Sequence, residues 1–316
     1  MLVMRWLSIY ESLVACNRKP SLYWRRFLLK RSMAKTYTTL RLNNWGEYKK
    51  LVDDLSENWA YRGQANAEWV LENAIERTDF IQLYKGVEAD FLAEFQRGAR
   101  NYLQKDQTPE HLIEWLALMQ HHGAPTRLLD FSKSPFIAAY FAFEQCAPVP
   151  DQYIAIWAVN INFLRVQAIE CLQGLFAAEL ERSENRIDEA LFEKIFYQNS
   201  CSLIFPVEPF RMNRRYSLQQ SIFVSTGNSY EPFMQQLGFL KDKIEKAVVK
   251  IELPTVLHKE VLRDLQKMNL HRASLFPDLD GYAVSLKLRY NSMRSSEELL
   301  ADQLQKMDKN GLGFIP

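Results

Sequence analysis

The sequence predicts an α+β fold in which a small mixed β-sheet is flanked by helices, and three observations carry that expectation. Residues 153–161, YIAIWAVNI, are rich in the β-branched and aromatic side chains that suit a buried strand. Apolar residues recur at helical spacing within residues 45–55, 112–119 and 256–265. Strands and helices intermix without the βαβ rhythm of a doubly wound sheet.

In chain order, Asn44 is placed to cap a helix whose stripe is Trp45, Tyr48, Leu51, Val52 and Leu55. Trp59-Ala60-Tyr61-Arg62-Gly63-Gln64 reads as a strand entering a turn at Gly63. The next helix spans about 86–104, with Val87, Phe91, Leu92, Phe95 and Tyr102 inward. Thr108 and Pro109 offer an N-cap and first position for a helix carrying Leu112, Trp115, Leu116 and Met119. Gly123 and Pro125 stop it, so His121 and His122 fall at a helix C-terminus. Ser134-Pro135 starts a nearly all-apolar, buried helix over 136–143. The stretch 120–141 packs many polar side chains into the loop between these two helices.

Residues 163–200 read as helical, with Ala190, Leu191, Phe192, Ile195 and Phe196 inward. Short strands are expected at 203–205, 222–225 and 248–253. Thr255 caps a helix with Val256, Leu257, Val261, Leu262 and Leu265 inward, and Asp278 and Asp280 open the last one.

The chain has 316 residues, 47% hydrophobic and 24% charged, enough for one large core or two small ones. Cys16, Cys146, Cys171 and Cys201 lie far apart without CxxC spacing, so neither a zinc ribbon nor a disulfide framework is indicated and a reducing cytoplasm is expected. Residues 1–32 hold seven Lys/Arg and one Glu, while the remainder is net acidic. The body is therefore not expected to bind nucleic acid generically, and no apolar span suggests membrane insertion. The basic stretch 1–32 lacks a secretory pattern and reads as an upstream start-site extension with Met33 as the start, or as a basic amphipathic arm. A main domain over 40–290 and a polar tail over 291–316 complete the expected organisation.

Four separated motifs then occur in order: Tyr61-Arg62-Gly63-Gln64; Gln120-His121-His122-Gly123 with Pro125-Thr126-Arg127-Leu128-Leu129-Asp130; Gln219-Gln220; and Leu275-Phe276-Pro277-Asp278-Leu279-Asp280-Gly281. In these the chain resembles the FRG domain family, named for its (F/Y)RG motif. Ser221 stands where that pattern leads one to expect glycine.

The motif residues admit several chemistries, since GxGxxG, Walker A, GxSxG and HExxH are all missing. An aromatic-Arg-Gly strand also resembles the opening motif of arginine-type ADP-ribosyltransferases, which implies a related fold and NAD as cofactor. On that reading Tyr61, Arg62, Gly63, Gln64, Arg127 and Ser132 bind the nucleotide, and Arg62 forks onto a phosphate. His122 orients a ribose hydroxyl, Tyr61 or Phe131 stacks on a ring, and Gln220 supports the transition state with Asp130 or Glu231 behind it. A second reading pairs His122 with Asp130 for acid-base hydrolysis, with metal binding by His121, His122 and Asp130 as its weaker form. A third is a noncatalytic module for a nucleotide or a protein partner. A fourth is purely structural: Arg127 paired with Asp130 in a loop, a histidine on the helix dipole, and glutamines serving buried backbone. An effector or phage-defence role would suit the first reading.

Overall fold

A computed structural model describes residues 37–55, 57–78, 84–211 and 213–293. The basic stretch 1–32 and the tail beyond 293 lie outside the described residues, and every element below belongs to the compact unit Thr38–Pro316.

The expected mixed α+β architecture is present, built on a seven-stranded sheet. Its strands are β1 (Thr38–Arg41), β2 (Trp59–Gln64), β3 (Leu128–Ser132), β4 (Tyr153–Asn160), β5 (Ile204–Val207), β6 (Ser221–Thr226) and β7 (Val248–Pro254), in the order β1-β7-β4-β2-β3-β6-β5. Only β1 and β7 run parallel; the other neighbours are antiparallel. β4 is paired on both edges, by β2 and β7, and its run of apolar residues is buried on both faces.

The main helices are α1 (Trp45–Asp54), α2 (Val87–Ala99), α3 (Leu112–His121), α4 (Pro135–Glu144), α5 (Ile161–Arg182), α6 (Glu189–Gln198), the short α7 (Arg214–Leu218), α8 (His258–Lys267) and α9 (Leu279–Met293). Asn44 and Ser134 cap α1 and α4, each accepting a bond from the amide three residues on. Two cores result. One gathers α2, α3, α5 and α6 against Leu128, Phe205 and Phe223. The other gathers α1, α4 and α8 against Tyr61, Ile154, Ile156, Ile251 and Leu253. Burying each large side chain of this kind stabilises by roughly 1.5–3 kcal/mol.

Several local expectations are corrected. The loop expected between α3 and α4 holds a strand, because Leu128–Ser132 pairs with β6. Gly63 does not open a turn but lies within β2. α3 begins at Leu112 rather than beside Pro109, since Glu114 reaches back to the amides of Glu110 and His111 and boxes the helix start at His111. α2 ends at Ala99, which leaves Tyr102 exposed. Thr255 bonds the backbone of Val149 in both directions, so α8 starts only at His258 and Val256 faces solvent. Ala190 is likewise exposed, whereas Leu191, Phe192, Ile195 and Phe196 are buried.

Candidate functional site

The sheet parts between β2 and β3. β2 pairs with β4 along its whole length, yet meets β3 only at Tyr61 opposite Ser132. Beyond that pair the two strands diverge, and a cleft of about 390 Å³ occupies the gap. β2, β3 and α4 form its floor and one wall. The end of α3, α7, the segment 65–77 and the segment around Phe276 also line it.

Arg62 bridges the opening. Its Nη1 donates to the main-chain oxygen of Asp130 at 2.7 Å, placing a donor where the strand ladder has stopped. The Asp130 carboxylate stays 4.0 Å away and about half exposed. Arg62 Nε is buried without a partner. Burial lowers the pKa of this guanidinium, Asp130 raises it and Arg77 lowers it further; at neutral pH the group remains a cation.

Two further polar groups on the cleft are under-satisfied in the same way: Arg215 Nε and His121 Nδ1 are buried without partners. Arg215 lies 4.4 Å above the Phe276 ring, which Arg272 approaches at 3.9 Å. His121 is held below its usual pKa by burial first, then by His122 and Arg215, with Asp278 opposing. Among the described residues the cleft thus carries three arginines, Arg62, Arg77 and Arg215, against one carboxylate, Asp130. Tyr61, Trp69, Phe131, Phe141, Tyr216 and Phe276 supply aromatic surface. Burial pushes the Tyr61 phenol up to about 12.

The family model of the FRG domain matches residues 57–149, the span holding β2, β3, α4 and the end of α3. The chain carries an FRG domain. Neither a curated protein nor a solved structure matches it. The matched FRG span brings Arg62, Arg77, His121 and Asp130 to the cleft; Arg215, Gln219 and Phe276 reach it from beyond that span.

Of the residues singled out by sequence, Tyr61, Arg62, Gly63, Gln64, Asp130 and Ser132 line the cleft, and His122, Arg127 and Gln220 do not. Gln64 spends its amide on the protein, donating to the Val70 carbonyl at 3.0 Å and accepting from Trp157 Nε1 at 2.7 Å. Ser132 donates to the Gln219 carbonyl at 2.8 Å. At Gly63 an added Cβ would lie 1.9 Å from the Ala138 carbonyl oxygen and 2.7 Å from the Ala142 amide nitrogen, so glycine serves the contact of β2 with α4.

Arg127 is buried with Glu88, not with Asp130. Its Nε lies 3.0 Å and its Nη2 2.5 Å from Glu88 Oε2, and its guanidinium covers the Phe196 ring at 4.3 Å. It ties α2, β3 and α6 together away from the cleft. His122 caps α3 and is exposed, while its neighbour His121 turns to the cleft. Gln220 has φ +48 and is exposed; its neighbour Gln219 is buried and donates to the Leu275 carbonyl at 3.0 Å. The left-handed residue of this turn is therefore Gln220, and Ser221 already begins β6.

Sequence reasoning passed over Arg77, Arg215, Trp69 and Phe276 as cleft residues. Phe276 had a signal in its motif, and Arg215 stood four residues before the glutamine pair; Arg77 and Trp69 carried none. Among the described residues no cluster of three or more His, Cys, Asp or Glu could hold a metal ion, and no helix is long and apolar enough to cross a membrane.

Proposed function

We propose that the cleft binds a nucleotide, with NAD as first candidate, and that the chain is a cytoplasmic effector of the ADP-ribosyltransferase or glycohydrolase type. The observation that carries this reading is the convergence of Arg62, Arg77 and Arg215 on one aromatic-walled cleft that holds a single carboxylate among the described residues. Three guanidinium-bearing side chains lining one space fit an anionic, acceptor-rich ligand. Guanidinium forks match phosphate oxygens, and the aromatic walls match a base. Phage defence is a setting that such an effector would suit.

The test is a thermal-shift titration with NAD, ADP-ribose, ATP and short RNA. A ligand that binds only the folded state raises its melting temperature with occupancy. The expected result is a dose-dependent shift with NAD or ADP-ribose that Arg77→Ala weakens, Arg77 being exposed and removable without disturbing the core. Absence of any shift at millimolar nucleotide would replace this reading with a protein-binding module.

A further inference from the structure

We propose that the groove between α1 and α8 is a second anion site, which takes a compact ligand carrying several phosphate groups. The groove holds about 440 Å³, and none of its lining residues lines the cleft. The proposal stands apart from the nucleotide reading above.

Lys259, Arg263 and Lys267 line the groove from α8. They recur at i, i+4 and i+8 and so form one stripe, about 12 Å from first to last at the helical rise. Like charges four residues apart on a helix repel one another. Other exposed cations of this chain meet carboxylates, as Lys133 meets Glu208 and Lys194 meets Glu179. Among the described residues, these three hold no carboxylate within ion-pair distance.

The opposite wall is already neutralised. Asp264 Oδ2 accepts from Trp45 Nε1 at 2.7 Å and from Lys49 Nζ at 3.1 Å, so both donors that α1 brings to the groove are spent on one oxygen. Glu260 is the remaining carboxylate of the described lining, and three unpaired cations face it. A ligand with phosphates spread along the stripe would relieve the repulsion and accept from each cation.

The lining also selects the kind of anion. A single-stranded nucleic acid is held by exposed rings on which its bases stack, and a bilayer takes up exposed apolar side chains. Among the described lining residues only Trp45 is aromatic or apolar, and it is 1% exposed. A free polyphosphate needs neither feature.

The test titrates the full chain with sodium triphosphate and with inositol hexakisphosphate at low ionic strength, followed by calorimetry. Lys259→Gln and Arg263→Gln, at exposed positions, should melt like the parent and each weaken binding by about 5-fold. Arg263→Glu should abolish binding, and Glu260→Gln should strengthen it by about 5-fold. Arg77→Ala, in the cleft, should leave it unchanged. Loss of binding in Arg77→Ala with the α8 variants unaffected would move the anion to the cleft and overturn the proposal. A response no larger than that to sulfate at equal ionic strength, or no response, overturns it as well. Phosphatidylcholine vesicles carrying phosphatidylinositol bisphosphate, and a short single-stranded RNA, complete the series. Binding to either in place of the free phosphates would give the stripe to a membrane or a nucleic acid and remove the compact ligand.

Discussion

Arg62 on β2 holds the main-chain oxygen of Asp130 on β3 at 2.7 Å, across the point where the two strands separate. One side chain thereby spans the gap between the strands and also lines the cleft. Arg62→Ala should lower stability by about 1–3 kcal/mol, since it leaves a buried acceptor unpaired. Arg62→Lys should restore part of that stability yet not nucleotide binding, because an ammonium cannot hold the carbonyl and fork onto a phosphate together. Urea denaturation beside ligand titration separates the two losses; equal binding by the lysine variant would remove Arg62 from the ligand site.

Gly63 belongs to packing. A methyl group there would sit 1.9 Å from the Ala138 carbonyl oxygen, and main chain on both sides cannot yield. Gly63→Ala should cost about 3 kcal/mol or more and reduce soluble yield. Normal melting with lost ligand binding would instead show that the ligand needs the space.

The Arg127–Glu88 pair makes a different claim on stability. Both side chains are about 95% buried or more and bonded at 2.5–3.1 Å. Arg127→Met leaves a buried carboxylate without its partner and should destabilise by about 3–5 kcal/mol. Adding Glu88→Leu should recover most of the loss, and chemical denaturation of the single and double variants measures it. Were Arg127 a ligand residue, the single variant would melt normally.

These placements show how far the sequence could be read. Caps at Asn44 and Ser134 and the strand at 153–160 follow from local residue types, which is why they were legible. The motifs gather because β2, β3 and the turn before β6 are neighbours. The misreadings fall on single-residue choices and distant pairs. Side chains of adjacent residues at a helix end point about 100° apart, so the residue types of His121 and His122 cannot say which one turns inward. The partner of Arg127 lies 39 positions upstream on another helix, where no spacing rule reaches.

Stability should fall on mild acidification. His121 and His258 are both held below the usual histidine pKa, chiefly by burial. The unfolded chain therefore takes up protons below about pH 6.5 that the folded chain refuses, and stability declines until the folded pKa values are passed. Above that window both states are neutral and these groups contribute no slope. His121 faces His122, Arg215 and Asp278, so His121→Gln should flatten part of the decline, and His258→Gln another part. Denaturant midpoints between pH 5 and 8 that are unchanged by either substitution would contradict this assignment.

The two adjacent glutamines should respond in opposite directions. Gln219 joins the walls of the cleft: its side chain donates to the Leu275 carbonyl at 3.0 Å, and its own carbonyl accepts from Ser132 at 2.8 Å. Gln219→Ala removes the first of these and leaves a buried carbonyl unpaired, which should cost about 1–3 kcal/mol and loosen Phe276, the next residue, from Arg215. Gln220 is exposed at φ +48, a conformation that costs an L-residue about 1–2 kcal/mol and glycine little. Gln220→Gly should therefore be neutral or stabilising, with ligand shifts intact. If Gln220→Gly abolished nucleotide binding while Gln219→Ala preserved it, the exposed glutamine would be the one that reaches the ligand, and the turn would have to rearrange when the cleft is filled.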